Sequence, residues 1–269
     1  MSLPDVHQDN SEFPQWGIEK VGVEGVKVSL SVLRKDGRPF VTVADANLYC
    51  DLTAQVRGAN MSRFIEVLSE VSALEDQTII EKVHQILRSV RSRLGSSKAY
   101  VKLSFPYLIV KSSPVSGLKS PYPVDVSFEG KLQGDQSEIW MTTGVYYLSL
   151  CPCSLELTGG QGAHNQRSCA TVSVELGDQM IWIEEIVELV EKHASAPIFS
   201  LLKRPDEKWV TEWAMSRPRF VEDMSRLLAD ELMRWVSEGR IWRFKVRCVH
   251  DESIHTHKAV SEVSFGEVW

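Results

Sequence analysis

No run in this 269-residue chain approaches the ~18 to 20 consecutive apolar residues that a helix needs to cross a bilayer, so a protein that spans a membrane in that way is excluded. A basic excess is missing as well: 30 Lys and Arg stand against 36 Asp and Glu, a net charge of −6. Nonspecific nucleic-acid binders neutralise phosphates with a cationic surplus, so no nucleic-acid partner is expected, although a local basic pocket for a phosphorylated ligand stays open. Cysteine is scarce and odd in number, five in all, which does not suit a disulfide framework. Residues 1–15 are acidic and polar where a secretory signal has a cationic start and an apolar run. The expected compartment is the cytoplasm, with no membrane partner. Low-complexity bias is absent too, since 43% hydrophobic and 25% charged residues with 16 Gly and 11 Pro describe an ordinary folded chain.

The length is enough for about two domains. Val28 to Val32 alternates apolar and polar residues, Asp36-Gly37 marks a turn, and residues 40–48 resume the alternation, which predicts a β-hairpin. Phe64, Val67, Leu68 and Val71, then Ile79, Val83, Ile86 and Val90, recur at helical spacing and predict two helices. Strand patterns return over 100–110, 124–128 and 140–150, interrupted by a Pro- and Ser-rich loop at 112–123. The second half repeats the order: strands over 146–150 and 168–176, a helix through Ile183, Ile186, Val187 and Val190, and another from Pro218 carrying Phe220, Met224, Leu227 and Leu228. Two more strands follow, over 242–248 and 260–265. The chain therefore reads ββααββ twice, an α+β architecture of two antiparallel sheets with helix pairs on one face. The expected division is a leader at 1–19 and modules at 20–145 and 146–269. Open sheet edges in such modules invite assembly of several subunits into a closed barrel.

Most of the chemistry-bearing residues have ordinary readings. His7, His84, His193 and His250 are expected as surface or satisfied core histidines, and Cys50, Cys169 and Cys248, inside apolar runs, as core thiols. Four segments depart from that background. Cys151-Pro152-Cys153-Ser154 is followed by a Gly-rich loop and by Ala163-His164-Asn165-Gln166-Arg167-Ser168; folded together, the Cys151 thiol and the His164 imidazole form part of a zinc or manganese shell. One pair is not a site. Lys203-Arg204-Pro205-Asp206-Glu207-Lys208 reads either as a solvated helix start or as a third metal ligand, Glu207, beside phosphate contacts from Lys203 or Arg204. Glu222, at the border of an apolar helical stripe, is either an exposed carboxylate or an acceptor for an amidine-like edge such as that of guanine. In Glu252-Ser253-Ile254-His255-Thr256-His257 the two histidines would point the same way on an extended segment, and with Glu252 they suit proton transfer near neutral pH.

Together these segments resemble the type IB family of GTP cyclohydrolase I. The resemblance runs in order through Leu3-Pro4-Asp5-Val6, Lys20-Val21-Gly22-Val23, Met61-Ser62-Arg63-Phe64, the Cys151 and His164 motifs, the Lys203 cluster with Val210-Thr211-Glu212, Phe220-Val221-Glu222-Asp223 and Glu252-Ser253-Ile254-His255. It implies a tunnelling fold of two ββααββ modules, assembling as a homotetramer into barrels. The implied reaction is hydrolysis of GTP to 7,8-dihydroneopterin triphosphate and formate, the first step toward tetrahydrofolate and, in many bacteria, queuosine. Carried over residue by residue, Cys151, His164 and Glu207 become ligands of a divalent metal (Mn2+, Zn2+ or Fe2+). Glu222 anchors guanine, and Glu252 and His255 handle protons, with His257 a weaker candidate. The chain departs from the family pattern at Leu155, where Lys is usual, at Asn60, where His is usual, and at Asp251. Those departures keep two other readings in view: an archaeal-type enzyme releasing a cyclic phosphate of dihydroneopterin, and a non-catalytic metal-binding paralogue.

Overall fold

The computed structural model describes residues 12–72 and 74–267; Leu3-Pro4-Asp5-Val6 and His7 lie outside them. Strands β1 (Ile18–Leu33) and β2 (Pro39–Leu52) form the predicted antiparallel hairpin. In its turn Gly37 has φ of 78°, a left-handed conformation that strains a side chain, and Asp36 Oδ1 accepts the Arg38 N–H at 3.0 Å. Helix α1 (Met61–Ser72) buries Phe64, Val67, Leu68 and Val71, and α2 (Ile79–Leu94) buries Ile79, Val83, Ile86, Leu87 and Val90. The start of α2 is fixed by a reciprocal pair, the Thr78 hydroxyl accepting the Glu81 N–H and the Glu81 carboxylate accepting the Thr78 N–H.

Strands β3 (Lys98–Ser112), β4 (Lys119–Gln133) and β5 (Gln136–Leu150) follow. The loop expected at 112–123 is shorter than its Pro content suggests, because β4 already begins at Lys119. Pro121 and Pro123 are exposed while Tyr122 and Val124 between and after them are buried, so both prolines sit in the strand without interrupting its apolar face. The remaining elements are α3 (Pro152–Leu157), β6 (Asn165–Leu176), α4 (Ile183–His193), β7 (Ala196–Pro197), α5 (Arg204–Ser216), α6 (Val221–Ser237), β8 (Ile241–His250) and β9 (Ala259–Phe265).

Among the described residues the strand order is β1-β2-β3-β4-β5-β6-β8-β9, with β7 paired to β5, in one nine-stranded sheet. The expectation of a tunnelling fold, two separate antiparallel sheets closing into barrels, is therefore corrected. An α+β fold with extensive antiparallel pairing is what forms, but the sheet is single and open, with β1 and β9 at its ends. Only Gly134 (φ 58°) and Asp135 separate β4 from β5, and so tight a connection makes the fourth and fifth strands neighbours. Apolar periodicity reports which face of a strand is buried; it carries no information on which strand lies beside it.

The chain divides into two compact units, Met1–Pro106 with Ser127–Trp140, and Tyr107–Val126 with Met141–Trp269. In the first, Gly130 marks where α2 meets the sheet, since a Cβ there would come within 2.7 Å of Val83 Cγ1. In the second, α6 turns Met224, Leu228 and Leu232 inward and packs on β8, whose Phe244, Val246 and Cys248 are buried. The same unit holds Lys111 of β3, only 9% exposed. Its ammonium donates to the Glu191 carboxylate of α4 and to the Ile198 carbonyl, and lies 4.4 Å from the ring centres of Tyr122 and Phe199. Burial lowers the pKa of Lys111 and raises that of Glu191, so each charge is tolerated because the other is present. Lys111→Ala should lower the unfolding free energy in urea by about 3 kcal/mol or more, whereas Lys111→Met combined with Glu191→Leu should recover most of the loss. Equal losses in the two proteins would show that the uncompensated carboxylate is not the cause.

Candidate active site

At the end of β5 the chain turns directly into α3, with Cys151 at the N-cap and Pro152 as the first helical residue. Proline suits that position because the first helical N–H has no intrahelical partner. The return loop passes through Gly159 and Gly160 at φ 65° and 81°, values glycine adopts without strain. Thr158 Oγ1 donates to the Leu155 carbonyl at 3.0 Å and accepts the Gly162 N–H at 3.3 Å. Ser154 Oγ accepts the His164 N–H at 3.2 Å, and the Cys151 N–H donates to the His164 carbonyl at 3.1 Å. The Gly-rich loop thus brings Cys151 and His164 side by side. Leu155 packs on the apolar cluster of Leu150, Ala196 and Ala214, and Asn60 accepts the Ser62 hydroxyl at 2.8 Å just before α1. Both residues serve local structure at the positions where the sequence departs from the family pattern.

From His164 a polar chain runs into the sheet. His164 Nδ1 lies 3.1 Å from Gln166 Oε1 and 3.6 Å from Glu252 Oε2, which leaves Nε2 as the lone-pair nitrogen of the ring. Gln166 Nε2 donates to Ser149 Oγ at 2.9 Å, and Ser149 Oγ lies 2.7 Å from Ser168 Oγ. On its other side the Glu252 carboxylate faces His250, with Oε1 3.9 Å from Nδ1. The His250 Nε2 is 2.9 Å from the Tyr147 hydroxyl. Burial lowers the His250 pKa to about 4, so the ring is neutral at pH 7, and burial also pushes the Tyr147 phenol far above its usual value. Tyr147 and Ser149 carry no signal in the sequence, and His250, expected as a satisfied core histidine, is one. The legible signal for His250 was its place two residues before Glu252 at the end of an alternating run.

The other sequence-derived candidates are exposed. Glu207 lies in the first turn of α5, Lys203 at its N-cap and Arg204 at its first residue, while Glu222 lies in the first turn of α6. Residues 251–258 form a turn between β8 and β9 and not the extended segment expected; the His255 N–H donates to the Glu252 carbonyl at 3.1 Å. His255 and His257 nevertheless share a side, their rings stacked with centres 5.0 Å apart. A divalent metal fits this arrangement in part. The Cys151 and His164 backbones are paired, but among the described residues no three of His, Cys, Asp and Glu converge into a shell, and Glu207, exposed on α5, forms no such group with the pair.

The charge cluster at α5 contains a residue of a different kind. Asp206 is completely buried and accepts the Val115 and Ser116 N–H groups at 2.8 Å each, the Ser116 hydroxyl at 2.7 Å and the Lys203 N–H at 2.8 Å. Although burial opposes ionisation, those bonds hold its carboxyl well below the usual carboxylate range. Asp206 ties the 113–118 turn to the start of α5, and so fixes where Lys203, Arg204 and Glu207 stand.

The sequence profile described as Type I GTP cyclohydrolase folE2 matches residues 3–261. GTP cyclohydrolase FolE2 of Magnetococcus marinus is 42% identical over 99% of this chain and 97% of its own length. That of Azoarcus sp. strain BH72 is 42% identical over 96% and 93%. The chain belongs to the FolE2 family of type I GTP cyclohydrolases. It is accordingly a GTP cyclohydrolase of folate-precursor biosynthesis. Among solved structures, a Bacillus sp. TB-90 urate oxidase mutant superposes with a TM-score of 0.55 at 6% identity, covering 93% of this chain and 100% of that one. The uricase of Bacillus fastidious gives 0.53 at 9% identity over 91% and 93%. Identities this low bear on the fold alone. Among the described residues no helix is long and apolar enough to cross a membrane.

Removing the Asp206 carboxylate should free the turn it holds. In Asp206→Ala the Val115 and Ser116 amides should lose protection from hydrogen exchange and the melting temperature should fall, with Asp206→Asn intermediate because one acceptor remains. Wild-type protection at both amides in Asp206→Ala would remove the clasp from the account.

Proposed function

We propose that the chain converts GTP and water to 7,8-dihydroneopterin triphosphate and formate, as a cytoplasmic homotetramer feeding tetrahydrofolate synthesis. The observation that carries the residue assignment is the Glu252 carboxylate, 15% exposed and set between His164 and His250, with His164 in turn backbone-paired to Cys151. A carboxylate so placed takes a proton from attacking water and returns it to the departing nitrogen during hydrolysis at C8 of the purine. His255, in the same turn, is the second proton carrier, and His257, stacked on it, is the reserve. Cys151 and His164 hold a divalent metal ion (Mn2+, Zn2+ or Fe2+), with Glu207 brought in from the first turn of α5. When bound, such an ion supplies Lewis acidity that makes water acidic enough to react near neutral pH. Lys203 and Arg204, exposed cations at the start of α5, take the triphosphate. Self-association is supported by open strand edges at β1 and β9 and by exposed apolar residues such as Val41, Val43 and Val260.

Purified protein given GTP and Mn2+ should yield a product that becomes a fluorescent pterin on oxidation, with the mass of dihydroneopterin triphosphate; a cyclic phosphate, or no pterin, overturns the reading. Cys151→Ala should lose metal and turnover together. Cys153→Ala should retain most of both, since Cys153 is exposed on α3 and a rigid proline separates the two thiols. Equal metal loss in the two variants contradicts the assignment.

Glu222 is proposed to accept the guanine N1–H and 2-amino group. Glu222→Gln turns one acceptor into a donor aimed at a donor, so GTP binding should weaken by about 2 to 3 kcal/mol, the scale of a lost charged hydrogen bond, at unchanged metal content. An ordinary exposed helix carboxylate would leave both quantities as they were.

A further inference from the structure

We propose that Tyr147 and His250 are positioning residues for the reaction, a buried phenol–imidazole pair that sets the orientation of the Glu252 carboxylate. The inference rests on the reading of Glu252 as the proton-transfer group and extends it to two side chains that touch no substrate.

Geometry comes first. His250 is the last residue of β8, 2% exposed, and is paired in register with Ser168 of β6. Tyr147, on β5, is buried, and its ring meets that of His250 edge-on at 73° with centres 5.8 Å apart. Its hydroxyl is 2.9 Å from His250 Nε2, and the opposite ring nitrogen faces Glu252 Oε1 at 3.9 Å. Glu252 itself belongs to the turn at 251–258, whose other side chains are exposed. The carboxylate therefore stands between two imidazoles, one oxygen toward His250 and the other toward His164.

Chemistry then selects one tautomer. A neutral imidazole has one N–H and one lone pair. If the lone pair were on Nδ1, it would face a carboxylate oxygen, acceptor against acceptor. With the Tyr147 O–H donating to Nε2, the N–H lies on Nδ1, on the side of Glu252 Oε1, which at 3.9 Å is beyond a direct hydrogen bond and close enough for electrostatic orientation. Burial keeps the ring neutral and the phenol protonated at working pH, so this arrangement does not change with pH near neutrality. A polar pair this deep costs desolvation that an apolar pair of the same shape avoids. Orienting a reacting group offsets that cost in the way a third residue orients a catalytic base.

The test is steady-state kinetics on metal-loaded enzyme. His250→Leu should lower kcat about 10- to 100-fold, the range for groups that orient a reacting ligand, with KM for GTP changed less than roughly twofold. His250→Asn, whose amide N–H replaces Nδ1–H, should restore much of kcat. Tyr147→Phe, which preserves shape, should lower kcat by a smaller factor, and it decides the matter if His250→Leu fails to fold. The double variant His250→Leu with Glu252→Gln should be no slower than Glu252→Gln alone, because the two act as one unit. Wild-type kcat in folded His250→Leu or in Tyr147→Phe overturns the proposal. So does a loss confined to KM, an equal loss in His250→Leu and His250→Asn, or multiplying losses in the double variant. Glu252→Gln reports separately on the underlying reading: wild-type turnover there refutes the role of Glu252, and the positioning role with it.

Discussion

The end of β5 is fixed by a requirement that every buried backbone group find a partner. The Leu150 N–H donates to Ser195 Oγ at 3.1 Å, its carbonyl accepts the Arg219 N–H at 3.0 Å, and the next N–H, that of Cys151, donates to the His164 carbonyl at 3.1 Å. Three segments far apart in sequence are thereby tied to one strand end: the residue before β7, the α5–α6 connection and the Gly-rich return loop. The side chain of Leu150 adds an apolar anchor with Ala196 and Ala214. Loosening this point would free the strand end that carries Cys151 and the linker that leads into α6.

Much of this was legible in the sequence where a local rule decides local structure. The stripes at Phe64–Val71 and Ile79–Val90 fold as read because 3.6-residue periodicity needs no knowledge of distant residues. Cys151 and His164 meet because Thr158, Gly159 and Gly160 can reverse the chain within a few residues. What escaped reading was set at long range. Asp206 looked like one charge among several solvated ones, and only the docking of the 113–118 turn, some 90 positions away, makes it a buried acceptor. His250 is the satisfied core histidine it was expected to be, 2% exposed, but the phenol that satisfies it lies 103 positions earlier and carries no local signal. The single open sheet was hidden for the same reason: alternation in β4 and β5 marks their buried faces but not their adjacency. For Glu252 to His257, alternation suggested an extended segment, yet the hydrogen bond from the His255 N–H to the Glu252 carbonyl turns the chain at once.

The site also shows a division of labour between dry and wet surroundings. Gln166, Ser149, Ser168, His250 and Tyr147 are buried and joined to one another or to the site by hydrogen bonds, which makes that side of the site stiff. Glu207, Glu222, His255 and the cations at the start of α5 are exposed, on helix starts and a turn. Under the assignment proposed above, such groups would be free to adjust to a nucleotide, while the buried chain keeps its geometry.

The Asp206 clasp also bears on the order in which the molecule is assembled. Its four donors come from the β3–β4 connection and from the residue capping α5, and closing a loop of that length carries an entropic cost that no local contact offsets. Helix α5 packs Ala214 on Leu150 and Ala196, and its first turn reaches the β3–β4 connection through Asp206. Nascent chains that have completed the hairpin but not α5 would hold Val115 and Ser116 without their acceptor, so this turn is tied down only in roughly the last quarter of synthesis.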